Sequence, residues 1–300
     1  MIKITAFTED PVSITHTRIG NILFQVATCL ALAWKHNIYP TFPNINDKFS
    51  NEYDEYKRTL FRNLNYDLIT HDNHIYEELF QYRGIYQFDK IPINIQKDTV
   101  IKGYFQSHKY FDEFRDKLLQ IFSIDDVTFN YIKTKYPILI DNNIIKICIH
   151  ARRGDYINHG ISLSIDYYKK ALQILNNNLN NNNPYKIDNN AIKYLIFTDD
   201  INWAKGEPLF NSDNFIVIDD EKDYVHLWMM TLCDHYILAN STFSWWGCYL
   251  SHNNNYKAIY PNSWFNVMRK SGRETKEEFN NKNKLRQHDF LLNKWIGISF

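Results

Sequence analysis

Ile144-Ile145-Lys146-Ile147-Cys148-Ile149 is an apolar run that leads directly into His150-Ala151-Arg152-Arg153-Gly154-Asp155-Tyr156. The apolar run is typical of a buried strand, so the two arginines lie just beyond that strand's carboxyl end. Arginine stays charged and presents a planar fork of donors that fits phosphate oxygens bidentately. A solvated turn with salt bridges is the simpler interpretation of an isolated Arg-Arg-Gly-Asp, so the rest of the chain must decide between the two.

Strands and helices alternate after this stretch. The sequence predicts strands at 144–149, 193–197, 215–218, 236–239 and 258–260, with helices at 165–175, near Trp203, at 224–233 and at 244–251. Such alternation is typical of a doubly wound, largely parallel sheet. The asparagine-rich tract 176–183 interrupts it, and we expect a mobile loop there.

Polar side chains follow three of the predicted strands, where ligands of open α/β sheets bind. Hydroxyls at a helix start cap free amides, and the same amides can receive a phosphate. Asp199 and Asp200 are expected to accept hydrogen bonds from a ribose or a base edge, with capping of the next helix as the alternative for one of them. The candidates are His150, Arg152, Arg153 and Asp155, then Thr198, Asp199 and Asp200, then Asn240, Ser241, Thr242 and Ser244.

The first half of the chain is less regular. Residues 21–36 have apolar side chains at helical spacing, which predicts a helix. Gly20-Asn21 stands at its start, where a glycine would let an anion or a polar sugar approach the backbone. The alternative is an ordinary turn before a core helix. Segment 47–92 is predicted to be irregular and to shape an acceptor pocket. A strand at 99–101 and an amphipathic helix at 109–122 follow.

Composition and charge limit the classes of protein to which this chain can belong. The 300 residues suffice for two domains, which we place at 1–140 and 141–300. A net charge of zero argues against nucleic acid or an anionic membrane as the main partner. Four single cysteines among apolar residues predict buried thiols in a reducing compartment. With no apolar stretch of membrane-spanning length and no signal-peptide pattern, we expect no integral membrane segment and a cytoplasmic location.

A metal site is not expected. Asp-x-Asp, the pair with which many nucleotide-sugar transferases hold a divalent ion, does not occur in the sequence. Arginine is then the candidate for neutralising a departing diphosphate, although Asp199-Asp200 could still ligate a cation.

These motifs together resemble glycosyltransferase family 11, the α-1,2-fucosyltransferases, almost from end to end. His150 to Tyr156 is similar to the family's His-x-Arg-Arg-Gly-Asp-Tyr signature, and Asn240-Ser241-Thr242-Phe243-Ser244-Trp245-Trp246-Gly247 to a second long motif. Three shorter blocks also match: Gly20-Asn21 with Phe24-Gln25, Gly103 to Ser107 with Lys109 to Phe111, and Phe197 to Asp200.

The resemblance implies a GT-B arrangement, in which two Rossmann-like domains face a cleft. Residues 1–140 would form the acceptor-side domain, and 141–300 the domain that binds GDP-fucose. The implied reaction is an inverting transfer of L-fucose from GDP-β-L-fucose to the 2-hydroxyl of a galactose-containing glycan, with no cofactor and no required metal. Arg152 would contact the diphosphate, and Ser241, Thr242 and Ser244 would hold the same phosphates from the opposite side.

Two positions depart from the family pattern. Ile22 stands where relatives commonly have glutamine, and His226 occupies a place where many carry an aspartate. The second departure leaves open another GDP-sugar as donor. A protein of the same fold that binds a nucleotide sugar or a glycan without turnover is the alternative from a different class.

The base that would deprotonate the acceptor hydroxyl has two candidates, Asp155 and His150, with His159 behind them. Asp155 could instead orient Arg152, and His150 could be a satisfied strand-end residue. Trp245-Trp246 is predicted to belong to the core rather than to stack on a base.

Overall fold

The computed structural model describes residues 2–7, 18–43, 45, 51–69, 73–77, 88–181, 191–262, 264 and 288–300. The chain divides into two compact units, Met1–Asp125 with Lys276–Leu292 and Asp126–Thr275 with Asn293–Phe300. The predicted domain limits, 1–140 and 141–300, stay a prediction; helix Asp126–Lys135 lies in the second unit.

The first unit contains a parallel sheet of four strands. They are β1 (Lys3–Phe7), β2 (Tyr39–Pro40), β3 (Asn73–Glu77) and β4 (Asp98–Lys102). Their order is β2-β1-β4-β3, and β1 pairs with β4 through Ile4–Thr99 to Phe7–Lys102. Neither β1 nor β3 was expected from the sequence. β1 was missed although it alternates apolar residues with lysine and threonine, which is a strand pattern, and β3 is a largely polar edge strand within a segment that was predicted to be irregular.

Helix α1 (Ile19–His36) packs on this sheet with all its residues buried from Ile19 to Ala33 except Asn21. It ends where Asn37 adopts a left-handed conformation, φ 54°, which asparagine tolerates better than most residues. Phe24 on α1 packs against Phe111 and Phe290, with ring centroids 5.9 and 5.8 Å away. The unit also contains α2 (Asn51–Arg58) and α3 (Arg115–Ile121).

The predicted helix at 109–122 is wrong for its first half. Residues His108–Tyr110 and Asp112–Phe114 form two short 3-10 turns, and the α-helix begins only at Arg115. Phe111 separates the turns with φ −139° and ψ −2°, and its ring is fully buried. Burial of this ring therefore overrides the helical pattern of the sequence.

The second unit confirms the predicted doubly wound parallel sheet. Its strands are β5 (Ile145–Ala151), β6 (Ile192–Thr198), β7 (Phe215–Val217), β8 (His235–Ile237), β9 (Ala258–Pro261) and β10 (Ile296–Ile298), in the order β10-β9-β8-β5-β6-β7. From β5 the chain continues to β6 and β7 on one side of β5, and then to β8, β9 and β10 on the other side. Because the strand order reverses between β5 and β8, their carboxyl ends form the topological switch point of this sheet.

Helices cover the faces of this sheet. They are α4 (Asp126–Lys135), α5 (Gly154–His159), α6 (Ile165–Asn181), α7 (Ile201–Gly206), α8 (Asp223–Thr231) and α9 (Thr242–Tyr249). The expected loop at 176–183 is wrong as far as Asn181, because α6 continues through the tract. Leu175 and Leu179 are buried there, four residues apart, so core packing holds the asparagines helical. The remainder of the tract lies outside the described residues.

Gly247 allows α8 and α9 to pack closely. A Cβ atom there would lie 2.8 Å from both Cβ and Sδ of Met230 on α8. Gly247→Ala is therefore expected to lower the free energy of unfolding by about 1–3 kcal/mol, because overpacking forces the helices apart. Urea unfolding measures the change. Gly206→Ala is the matched control, since nothing lies within 4 Å of its added Cβ; equal stability of the two variants would contradict the close packing.

Candidate active site

Arg152 lies just beyond β5, held between two carboxylates. Its Nη2 donates to Asp155 Oδ1 at 2.5 Å, and its Nη1 forms an ion pair with Asp199 Oδ2 at 2.8 Å. The guanidinium also faces the Tyr156 ring, 5.5 Å from the centroid. About a fifth of the side chain (19%) remains exposed. The arginine is thus oriented from two sides and still reachable by an anion, as a preorganised site requires.

Asp199 is the centre of this arrangement. Its Oδ1 accepts the backbone N–H of Arg153 at 2.7 Å while its Oδ2 binds Arg152. The carboxylate packs directly against Gly154: a Cβ there would lie 2.7 Å from Asp199 Oδ2, so any larger residue would force the carboxylate to shift. The β5–β6 register, which pairs Ala151 with Thr198, brings the two turns together.

Arg153 and Asp200 form the neighbouring ion pair. The Nε of Arg153 donates to Asp200 Oδ2 at 3.1 Å, and its guanidinium lies 4.1 Å from the Trp203 ring centroid. Asp200 Oδ1 accepts the N–H of Trp203 at 3.1 Å and so caps α7, which confirms the capping alternative for one of the two aspartates. Thr198 Oγ1 accepts the N–H of Asp200 at 3.0 Å. These side chains organise the turn itself.

The hydroxyl cluster after β8 also organises a turn. Ser241 caps α9 by accepting the N–H of Phe243 at 3.3 Å. Ser244 is buried, and its hydroxyl donates to the carbonyls of Ala239 and Ser241 at 3.2 Å. Of the three predicted phosphate ligands, only Thr242 is more than slightly exposed, and it is half-buried. Phosphate binding by the cluster stays a prediction, with Thr242 at the helix start in the better position.

Asn240 connects this turn to the arginine turn. Its carbonyl accepts the Tyr156 hydroxyl at 3.2 Å, and its Nδ2 donates to the Ile161 carbonyl at 3.2 Å. Its Oδ1 is buried and has no hydrogen-bond partner among the residues that the structure describes. The turn after β8 and the turn after β5 are therefore joined by hydrogen bonds between Asn240 and residues of α5 and the segment that follows it.

His150 is buried at the end of β5, with its ring centroid 5.6 Å from that of Phe243. Burial, reinforced by the charge of Arg152, lowers the pKa of the imidazole to about 3. Its Nδ1 is buried and, within the described part of the chain, has no hydrogen-bond partner. His150 is thus neutral at neutral pH and enclosed, which agrees better with a strand-end core residue than with a base.

The depressed pKa of His150 makes stability depend on pH. Between about pH 6.5 and pH 3 the unfolded chain binds a proton at this position that the folded chain does not, so stability falls as the pH falls. His150→Phe is expected to reduce this slope by roughly 1.4 kcal/mol per pH unit. Urea unfolding at pH 7, 6 and 5 gives the slopes; identical slopes in both proteins would contradict a buried neutral imidazole.

Gly20 and Asn21 lie in the first unit, in the first turn of α1, as predicted. Gly20 is buried, and Asn21 Oδ1 accepts a hydrogen bond from Gln106 Nε2 at 2.8 Å. The backbone N–H groups of Asn21 and Ile22 donate to the Arg18 carbonyl at 2.9 and 3.2 Å. These amides are already engaged, which weakens the expectation that they hold a donor phosphate.

Trp245 and Trp246 are fully buried and pack edge-to-face at 5.1 Å, so the prediction that they belong to the core is confirmed. All four cysteines are buried free thiols. Sequence reasoning missed the roles of Gly154 and Tyr156, although both stand inside the motif it singled out.

Within the described ranges, no three metal-ligating side chains are grouped to hold an ion, and no helix is both long and apolar enough to cross a membrane. Asp199 and Asp200, the alternative cation ligands, instead bind the two arginines.

The fold is shared with solved fucosyltransferases. NodZ from Bradyrhizobium superposes with a TM-score of 0.51 at 9% identity, covering 83% of this chain and 92% of that chain. The α-1,6-fucosyltransferase NodZ co-crystallised with GDP gives a TM-score of 0.52 at 8% identity over the same shares. At these identities the likeness concerns the fold alone, which confirms the predicted GT-B type.

Two parallel-sheet units, with an arginine pair at the switch point of the second, are the arrangement of a GT-B glycosyltransferase. The profile of glycosyl transferase family 11 matches residues 14–284, and the chain belongs to that family.

Two Escherichia coli relatives are similar in sequence. The O-antigen biosynthesis glycosyltransferase WbnK is 27% identical over 225 residues, 71% of this chain and 65% of that protein. An α-1,2-colitosyltransferase is 30% identical over 172 residues, 54% of this chain and 55% of that protein. The chain thus matches just under two thirds of the length of one relative and about half of the other.

Proposed function

We propose that this family 11 glycosyltransferase transfers L-fucose from GDP-β-L-fucose to the 2-hydroxyl of a galactose-containing glycan, with inversion and without a required metal. The observation that carries the proposal is Arg152, oriented by Asp155 and Asp199 at the carboxyl ends of β5 and β6. The co-crystallisation of a fucosyltransferase of the same fold with GDP supports the donor class.

The arginine suits the chemistry of the leaving group. Departure of GDP leaves an oxocarbenium-like sugar and builds negative charge on the β-phosphate. Arg152 uses two N–H groups for its carboxylate partners, so others of its five donors are available to phosphate oxygens. A group fixed before the reaction stabilises the developing charge more than it stabilises the bound substrate.

Of the two candidate bases, Asp155 is the better placed. It lies in the first turn of α5, its side chain is 39% exposed, and it already contacts Arg152. His150 is enclosed and neutral. We therefore assign to Asp155 both the orientation of Arg152 and the acceptance of the hydroxyl proton.

A second candidate donor is another GDP-sugar. His226 stands where many relatives carry an aspartate, and its Nε2 donates a hydrogen bond to the Asp219 carbonyl at 2.9 Å. Burial lowers the pKa of His226, and its ring packs against Phe197. A neutral imidazole in place of a carboxylate changes the polar groups near the end of β6. The colitosyl specificity in the name of one relative shows that sugars other than fucose occur among proteins like this one.

The test is a donor comparison with lactose as acceptor. Release of the nucleoside diphosphate is measured with GDP-fucose, GDP-mannose and UDP-galactose, as GDP for the first two and as UDP for the third, each with and without lactose and with and without EDTA. Lactose-dependent release with GDP-fucose alone, unaffected by EDTA, supports the proposal. Tight GDP-fucose binding without release would favour a binding protein, and preference for another GDP-sugar would favour the second candidate.

A further inference from the structure

Tyr156 is the third group that contacts the Arg152 guanidinium. It lies in the first turn of α5, next to Asp155, and the Cζ atom of Arg152 lies over its ring, 5.5 Å from the centroid. A cation over the face of an aromatic ring is attracted by the negative charge of that face. Asp155 and Asp199 bind Nη2 and Nη1 of the same guanidinium. The ring therefore adds a contact that neither carboxylate can supply.

The hydroxyl of Tyr156 is bound to the turn after β8. It donates to the backbone carbonyl of Asn240 at 3.2 Å. The Nδ2 of Asn240 donates to the Ile161 carbonyl at 3.2 Å, and the N–H of Ile161 donates to the Tyr156 carbonyl at 3.0 Å. Tyr156, Asn240 and Ile161 thus form a closed network of three hydrogen bonds, which the loss of one hydroxyl would open.

This network holds both ends of α5. Tyr156 belongs to its first turn, and Ile161 follows Gly160, whose left-handed conformation, φ 64°, ends the helix. A helix of six residues has few backbone hydrogen bonds of its own, so contacts with the rest of the fold decide where it lies. The position of α5, and with it that of Asp155 beside Arg152, therefore depends on Asn240.

Asn240 is in turn connected to the start of α9. It directly precedes Ser241, which caps α9, and Thr242 is the first residue of that helix. Arg152 and the start of α9 are the two sides from which a diphosphate was expected to be held. Tyr156 links these two sides, because its ring contacts the first and its hydroxyl is bound to the second. A catalytic group that moves by about 1 Å can lose a large part of its effect, so this separation matters for the reaction.

Tyrosine is suited to this double role, since its ring is apolar and its hydroxyl seeks a polar partner. The hydroxyl proton of Tyr156 is engaged by the Asn240 carbonyl, so the side chain acts on a ligand through Arg152.

We propose that Tyr156 is a positioning residue of the active site: its ring holds the Arg152 guanidinium, and its hydroxyl, through Asn240, sets the distance between that guanidinium and the start of α9. The proposal rests on the proposed function in taking the diphosphate of the donor as the ligand of Arg152. It assigns to Tyr156 no contact with the sugar, the nucleotide or the acceptor.

Two substitutions separate the hydroxyl from the ring. Tyr156→Phe keeps the ring and removes the hydrogen-bond donor, whereas Tyr156→Leu removes both. We expect kcat with GDP-fucose and lactose to fall about fivefold in Tyr156→Phe, the value of one ordinary hydrogen bond, and about 10²-fold in Tyr156→Leu. The KM for lactose should stay unchanged in both variants. A kcat of Tyr156→Leu equal to that of the natural protein overturns the proposal.

Tyr66, in the first unit, provides the matched control. It is half-buried like Tyr156, its hydroxyl donates to the Phe61 carbonyl at 2.8 Å, and the Nζ of Lys57 lies over its ring, 5.1 Å from the centroid. Tyr66→Phe and Tyr66→Leu should lower stability and leave kcat unchanged. A fall in kcat as large as that of the Tyr156 variants would be a general effect of destabilisation, which also overturns the proposal.

A double-mutant cycle with Arg152→Lys distinguishes positioning from direct contact. If Tyr156 acts through the guanidinium, Tyr156→Leu should lower kcat much less in the Arg152→Lys background than in the natural protein. Fully additive losses would show that Tyr156 acts on the ligand by itself and would overturn its assignment as a positioning residue. If Tyr156→Leu does not fold, the same cycle with Tyr156→Phe decides.

Titration with GDP and GMP separates this proposal from the proposed function, because it needs neither acceptor nor transfer. GDP carries the charge of the departed leaving group, and GMP lacks the β-phosphate. We expect the Kd for GDP to rise about tenfold in Tyr156→Leu, with the Kd for GMP unchanged. That result supports the proposal even if no fucose is transferred.

The opposite results are equally distinct. Fucose transfer with a kcat and a Kd for GDP that Tyr156→Leu leaves unchanged removes this role of Tyr156 and leaves the proposed function standing. A natural protein that binds neither nucleotide would overturn both.

Discussion

Replacing Arg152 by lysine is expected to lower kcat by about 10²–10³-fold while the protein remains folded. Lysine keeps the positive charge but provides a compact ammonium in place of the planar fork. A guanidinium can bind Asp155, Asp199 and a phosphate at once, since the two carboxylates take separate nitrogens, Nη2 and Nη1. An ammonium on a shorter group cannot hold the three contacts in the same geometry.

Steady-state kinetics with GDP-fucose and lactose measure the effect of Arg152→Lys. Arg62→Lys is the matched control, because Arg62 is also a half-buried arginine but binds the Ser123 carbonyl, at 2.6 Å, in the first unit. We expect that control to affect stability and leave kcat unchanged. Turnover of Arg152→Lys close to that of the natural protein would refute the assignment of Arg152 to the departing phosphate.

The elements that could be predicted are those whose buried apolar residues recur in the sequence at the spacing of a strand or a helix. The run predicted as a strand at 144–149 corresponds to β5, Ile145–Ala151, which is buried from Lys146 onward, and the alternation after it gives the parallel sheet and the position of the arginines. The helix at Phe111 and the loop expected from 176 were mispredicted, the latter as far as Asn181, for a common reason. In each case a few buried side chains, Phe111 in one and Leu179 in the other, determine the backbone more strongly than local composition.

The detailed site could be predicted only in part. The motif identified Arg152 and Asp155, which are three residues apart. Capping was expected for one of Asp199 and Asp200, and the structure shows that Asp200 is the cap. The contact between Arg152 and Asp199 depends on which strand lies next to β5 and in what register, and no local pattern contains that information. Gln25 Oε1 and Gln106 Oε1 have no hydrogen-bond partner among the described residues, and this is likewise visible only when the surrounding contacts are known.

Replacing Gly154 by alanine is expected to lower kcat/KM by about 10²-fold, although the residue binds no substrate in the proposed reaction. The added Cβ would lie 2.7 Å from Asp199 Oδ2 and 3.4 Å from its Cγ, so the carboxylate must move. Asp199 then releases Arg152 Nη1 and the Arg153 backbone N–H, and a displacement of about 1 Å of a catalytic group can cost that factor. Gly154 is exposed at the start of α5, where alanine itself is compatible with a helix, so stability should change little.

A double-mutant cycle tests whether Gly154→Ala lowers kcat/KM by displacing Asp199. Asp199→Ala removes the carboxylate that the new Cβ would strike, so Gly154→Ala should cost almost nothing further in that background. Gly206→Ala, where the added Cβ meets no atom within 4 Å, should leave kcat/KM unchanged. Fully additive losses in the double variant would show that Gly154 acts independently of Asp199. The non-additive result would make Asp199 a positioning residue that sets the geometry of Arg152 rather than a ligand of the nucleotide.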